Sequence, residues 1–293
     1  MTNYDLPKLR KHTFELVHRY PTSTAICFYN VIAFYRSPAY RMEVIDALEK
    51  QLARGKRGHE AYWVLAQVCE GGAKPHTFRN EVERQSFLRY YRLPANTALS
   101  DKWDVPLASK AEKYYRLAIQ LAGNNQDAGP LYSFPFALML SAEGKQQQAI
   151  QVCEKALSIT GPTMKPRLLI TYGKCLRAAK QHAKAISALS KVRTIDHKGQ
   201  NKGASEDTVE AELLMGMVAL DMGDRAEAGR HLMASTNVDG PQYGRFLQFE
   251  LALPQRLLKL GEKAVVRQFC DVVLRKFQTD EKEIMQLRSQ ALP

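Results

Sequence analysis

Reactive side chains are scattered along this sequence without the spacing that chemistry needs. The seven histidines are His12, His18, His59, His76, His182, His197 and His231. None stands four residues from another on a helical face or beside a paired cysteine, so no zinc-type ligand set is spelled out. The five cysteines, Cys27, Cys69, Cys153, Cys175 and Cys270, sit singly inside apolar helical patterns with no C-x-x-C pair. This suits small core thiols in a reducing compartment. Glu81 and Glu83, like Glu281 and Glu283, lie two residues apart and cannot share one helix face. No H-E-x-x-H, G-x-x-x-x-G-K-[ST], G-x-S-x-G or strand-bound G-x-G-x-x-G occurs. The expectation is no catalytic residue, no metal and no cofactor.

One stretch mixes side chains that can hold a polyanion. Arg79, Arg84, Arg89 and Arg92 alternate with Phe78, Phe87, Tyr90 and Tyr91. Cationic and stacking groups in this mixture grip single-stranded nucleic acid, with Tyr90 and Tyr91 as stacking platforms. The competing expectation is that the aromatics pack onto the protein body while the arginines face water. The formal charge of +12, from 42 basic and 30 acidic residues, also fits an anionic partner. Its basic residues are dispersed, however. The longest clusters are Arg54, Lys56, Arg57 and Lys8, Arg10, Lys11, and dispersed cations usually form a solvated face.

The elements that would position any site are helical. One pattern is written three times between Ser133 and Gly240. Ser133, Phe136, Ala137 and Leu140 lead to Gly144, then Ala149, Cys153 and Ala156. Leu169, Tyr172, Gly173 and Leu176 lead to Ala185, Leu189 and Val192; Glu212, Met215, Gly216 and Ala219 lead to Gly223, Ala228, Leu232 and Ser235. Steps of three and four residues give each helix one apolar stripe. Small residues at Ala137, Gly173 and Gly216, and at Ala149, Ala185 and Ala228, let paired helices approach closely.

These intervals resemble the tetratricopeptide repeat, a helix–turn–helix unit with W-x2-L-G-x2-Y on its first helix and A-x3-F on its second. The resemblance implies an all-α, right-handed α-solenoid of stacked helical pairs, which grows by addition of units and needs no second core. It also implies a partner: first helices of successive repeats line a concave groove for an extended peptide or a partner helix. Carried over by position, that groove would show Leu131, Phe134, Leu138 and Ser141, then Ile170, Thr171, Lys174 and Arg177, then Leu213, Leu214, Met217 and Leu220. An apolar lining with Lys174 and Arg177 midway suits a segment carrying an acid near its centre. Leu138 and Met217 stand where the family's carboxylate clamp would want polar residues, so that variant of the groove is not expected. The function implied is a non-enzymatic interaction scaffold or adaptor, with a nucleic-acid-associated helical repeat as the alternative.

Along the chain, residues 1–72 read as degenerate N-terminal helices: one from Asp5 to Tyr20, one from Thr22 or Ser23 to Tyr35, and one from Arg41 to Arg54. Ala61, Tyr62, Leu65, Ala66 and Cys69 then give a first-helix pattern ending at Gly71 and Gly72. Its second helix is late, at Ala111, Tyr115, Ala118 and Leu121, so residues 73–107 read as an insertion carrying a helix over Phe78 to Leu93. Asn124 to Pro130 and His197 to Asp207 read as connections. The repeat core spans 108–277 and a fourth copy follows Pro241, with Gly261, Val266, Cys270 and Val273 in register and Pro254 kinking or shortening its first helix. Residues 278–293 form a cap in which Ile284 and Leu287 face the body, and the whole of 1–293 is expected as one elongated domain. No uncharged apolar run approaches 18 residues and no secretory signal opens the chain, so the expectation is a cytoplasmic, or in a eukaryote nuclear, protein without membrane insertion.

Overall fold

The computed structural model describes residues 6–20, 26, 38–55, 58–75, 84, 100–198, 206–237, 251–277 and 282–292. All regular structure among them is helical. The chain divides into two compact units, Met1–Phe136 and Ala137–Pro293. The division falls within one helix, Ala128–Ala142.

The first unit holds α1 (Leu6–Arg19), α2 (Pro38–Ala53), α3 (His59–Ala73), α4 (Val105–Ala122) and the start of α5 (Ala128–Ala142). Helix α1 packs on α2, α2 on α3, and α3 on α4. Ala61, Leu65, Ala111, Tyr115 and Ala118 are all buried on the two facing stripes of α3 and α4. The helix expected late in the chain therefore packs on the first-helix pattern of residues 61–69. The Asp104 amide donates to the Ala73 carbonyl at 3.0 Å, which ties the two ends of the intervening segment together at the base of the pair. Asp104 also caps α4 by accepting from the Leu107 amide, and this cap starts the helix at Val105, inside the expected insertion.

Gly71 and Gly72 do not end α3, which continues to Ala73. A Cβ on Gly72 would stand 2.7 Å from Cδ of Arg41, and the Arg41 guanidinium donates to the Gly72 carbonyl at 2.8 Å. Gly72 is thus a place of close approach between α2 and α3. The expected connection 124–130 is shorter than read, because Asn125 Oδ1 accepts from the Asp127 and Ala128 amides and starts α5 at Ala128.

The second unit continues with α6 (Gln146–Ile159), α7 (Lys165–Ala178), α8 (His182–Lys198), α9 (Glu206–Asp221), α10 (Arg225–Ala234), α11 (Ala252–Lys259), α12 (Lys263–Phe277) and α13 (Lys282–Gln290). Each helix packs on the next from α6 to α13, and first helices also touch in series: α7 on α9 and α9 on α11. This stacking is an α-solenoid. Helix α8 reaches Lys198, so His197 belongs to a helix and not to the expected connection. Pro254 lies buried in the first turn of the eight-residue α11, where its missing amide needs no helical partner. Ile284 and Leu287 of α13 join the core formed with Leu253, Leu257, Val266, Phe269, Cys270 and Val273.

Small residues do the work the spacing assigns to them. Ala149, Ala185 and Ala228 are each fully buried. A Cβ on Gly173 would stand 2.7 Å from Cγ of Leu189, its own repeat's second helix. One on Gly216 would stand 2.4 Å from Cδ2 of Leu253 in the next repeat and 3.2 Å from the Ala228 carbonyl.

Candidate functional site

Four turns join first to second helices, and they share one set of hydrogen bonds. The amides of Lys145, Gln181, Asp224 and Glu262 donate to the carbonyls of Leu140, Leu176, Ala219 and Leu257, at 2.8 to 3.0 Å. The residue before each amide donor takes a left-handed backbone: Gly144 at φ 83°, Lys180 at 58°, Gly223 at 85° and Gly261 at 86°. Five residues after each comes Ala149, Ala185, Ala228 or Val266, all buried. These turns repeat the helix–turn–helix unit four times among the described residues. The fold is a tetratricopeptide-like helical repeat.

Three of the turns use glycine, the residue for which a left-handed conformation carries no Cβ penalty. The second uses Lys180. That position costs an L-residue about 1 kcal/mol or more, and here it lies on the rim of a concavity. An open cavity of about 760 Å³ is lined by Lys174, Arg177, Ala178, Lys180, His182, Leu220, Asp221 and Arg256. It is built by the last turns of α7 and α9, the first residue of α8 and the middle of α11.

Ion pairs organise its floor. Lys174 Nζ donates to Glu210 Oε1 at 2.5 Å, and Arg167 lies 3.4 Å from the other oxygen of that carboxylate. Arg177 Nε donates to Asp221 Oδ2 at 2.6 Å and Arg256 Nη1 to Oδ1 at 2.9 Å. Burial alone would raise the Asp221 carboxyl, but the hydrogen bonds and charges of Arg177 and Arg256 hold it below its ordinary value of 3.8. Beyond the cavity, the turns after α9 and α11 leave Met222 and Leu260 58% and 40% exposed.

The expected groove residues divide by character. Ile170 is buried, and Leu213 and Leu220 belong to the core of the second unit, with Met217 packed against it. Thr171 and Leu214 are buried as well. They are enclosed because α9 touches the first helices α7 and α11 as well as the second helices α8 and α10, and α7 touches α9 as well as α6 and α8. Lys174 and Arg177 are half-buried and paired, so the open part of this surface is polar rather than apolar. Leu138 and Ser141 are half-buried in the second unit. Leu131 and Phe134 are half-buried in the first, where Leu131 packs against Ala118, Ala122 and Tyr132. Of the arginine–aromatic cluster, Arg84 is described and half-buried. Arg79, Arg89, Arg92, Tyr90 and Tyr91 lie outside the described residues, as does most of the expected helix over 78–93.

Sequence reading did not bring out three further groupings. Glu212, 2% exposed, accepts from His231 Nδ1 at 2.8 Å and from Arg193, while His231 Nε2 lies 3.2 Å from Glu227. Burial pushes the Glu212 carboxyl up, but the hydrogen bonds from His231 and Arg193 outweigh it and hold the group below 4.5. In the first unit Tyr114 and Lys110 both donate to Glu49, at 2.5 and 2.9 Å, and Tyr115 donates to Glu70. Finally, Cys153 and Cys175 meet in the core, where the hydrogen bond with Cys175, and then burial, push the Cys153 thiol up. The thiols of Cys69 and Cys270 are pushed up to about 12, in each case chiefly by burial. Among the described residues no cluster of His, Cys, Asp and Glu has a metal-binding arrangement, and no helix is long and apolar enough to cross a membrane.

Comparison with known proteins gives no matching family model and no matching curated protein. Two solved structures are similar in fold. One is the APC/C hetero-tetramer Cut9–Hcn1, at 12% identity and TM-score 0.48 over 99% of this chain and 46% of that one. The other is PilF of Pseudomonas aeruginosa, at 14% identity and TM-score 0.45 over 97% of this chain and 98% of that one. The chain thus spans about half the length of the first of these.

Proposed function

We propose that this protein is a non-enzymatic interaction scaffold whose second unit holds an acidic segment of a partner protein in the concavity between α7, α9 and α11. The observation that carries this reading is the makeup of that concavity. Among the described residues that line it, Lys174, Arg177, Lys180 and Arg256 outnumber the one carboxylate, Asp221, and Lys174 also pairs with Glu210 beside it, which leaves cationic character in a recess large enough for several side chains. Met222 and Leu260, open on the turns after α9 and α11, offer apolar contact to a segment held there. The buried free thiols of Cys69, Cys153, Cys175 and Cys270 are compatible with the cytoplasm or nucleus.

An array of short peptides of graded acidity, probed with the full chain, tests this. The wild-type protein is expected to retain acidic peptides carrying apolar flanks, and Lys180→Glu to lose them. Lys180 is the suitable site because its reversal breaks none of the ion pairs that join α7, α9 and α11. Equal retention by the variant, or retention with no preference for acidic sequences, removes the assignment.

A further inference from the structure

The cationic recess carries a more specific reading, which rests on the scaffold function just proposed. Asp221 is a hub: one carboxylate draws two guanidiniums together, Arg177 through Nε and Arg256 through Nη1. Each guanidinium has five N–H donors in a planar fork. Arg177 spends one of these on Asp221; Arg256 spends Nη1 on the same carboxylate and on Sδ of Met217 at 4.0 Å. Both side chains line the recess, and their other N–H groups have no further acceptor among the described residues, which suits an oxyanion.

Charge sets the valence of that oxyanion. Five cations, Arg167, Lys174, Arg177, Lys180 and Arg256, stand in or beside the recess against three carboxylates, Asp207, Glu210 and Asp221, which leaves two positive charges. The C-terminal ends of α7 and α9 take up part of that charge, and the N-terminal end of α8 at His182 brings the opposite sign. A phosphomonoester carries close to two negative charges near neutral pH, whereas a carboxylate carries one.

One further observation marks the same place. Lys180 keeps a left-handed backbone where the other three turns use glycine, so a cation is retained at the rim against local strain. His182 also stands on the cavity wall.

We infer that this recess is a phosphate-recognition site, taking a phosphorylated serine or threonine on a partner segment through the Arg177–Arg256 pair with Lys180 at the rim.

Isothermal titration of the full chain tests it in a phosphate-free buffer at fixed ionic strength. The probes are a blocked Gly-Ala-Ser-Ala-Gly peptide with its serine phosphorylated, the same peptide unphosphorylated, and inorganic phosphate. The phosphorylated peptide should bind about tenfold or more tightly than the unphosphorylated one, and more tightly than inorganic phosphate. Arg177→Gln with Arg256→Gln should remove that preference. Lys180→Gly, which relieves the turn and so guards against a mere folding defect, should weaken phosphopeptide binding about threefold while raising the thermal midpoint. The absence of a phosphate-dependent difference overturns the inference, as does undiminished binding by the double variant. Binding of inorganic phosphate as tight as that of the phosphopeptide overturns the assignment to a partner segment. If phosphate preference fails while the acidic-peptide array still separates wild type from Lys180→Glu, this inference falls and the scaffold reading stands.

Discussion

Lys174 on α7 holds Glu210 on α9 through a 2.5 Å hydrogen bond, with the glutamate only 9% exposed. The lysine expected to await a partner's acid is thus also a strut between first helices of adjacent repeats. Reversing it by Lys174→Glu sets two carboxylates side by side at a nearly enclosed place. The expected loss is about 1–3 kcal/mol in chemical denaturation, with at least half recovered in Lys174→Glu combined with Glu210→Lys. No recovery in the double variant would show that the pair is not the source of the loss.

Lys180→Gly should stabilise the protein by about 0.5–1 kcal/mol, since removal of the Cβ penalty at φ 58° exceeds the added freedom of the unfolded chain. The same substitution usually destabilises an exposed lysine position, so the sign of the change in midpoint decides the matter.

Gly173→Ala should destabilise by about 1 kcal/mol. Alanine ordinarily improves a helix interior by about that amount. Here its methyl would meet Cγ of Leu189 at 2.7 Å, and Leu189 is itself fully buried with no room to turn. Overpacking of this kind costs about 1–3 kcal/mol, enough to reverse the usual gain. Equilibrium unfolding in urea reads the sign.

Glu212→Gln should cost about 2 kcal/mol or more at neutral pH, because Arg193 and His231 lose the carboxylate that they share. The pH dependence follows from the direction of the shift. The folded-state carboxyls of Glu212 and Asp221 lie below their ordinary values of 4.5 and 3.8. The unfolded chain therefore binds more protons in that region, so their contribution is present above about pH 4.5 and is lost as pH falls through the folded-state values. A plot of stability against pH should fall on the acid side in the wild type and fall less steeply in Glu212→Gln.

The fold was legible where one residue type answers one steric demand. Ala149, Ala185 and Ala228 are fully buried, and a Cβ at Gly173 or Gly216 would crowd Leu189 or Leu253. Gly72 misled because a glycine near a helix end reads as a stop, whereas its role is to admit Arg41 of the neighbouring helix. Lys180 was missed for the converse reason, since the left-handed turn is set by the register of the repeat and not by its own residue type. The apolar lining read from Ile170, Leu213 and Leu220 belongs to the core instead. In a stacked repeat a first helix is covered on more than one side, and its sequence shows the sum of those faces without separating them. The ion pairs that shape the recess join residues far apart in the chain, such as Arg177 and Asp221, and local spacing cannot report them.

The seat of the partner is tested most directly by hydrogen–deuterium exchange of the full chain with and without an acidic peptide retained by the array. Protection confined to residues 174–182, 217–222 and 252–260 is the predicted result. Protection of residues 76–99 instead, or of the outer face around Arg225 and Lys276, with the recess unchanged, would contradict the account.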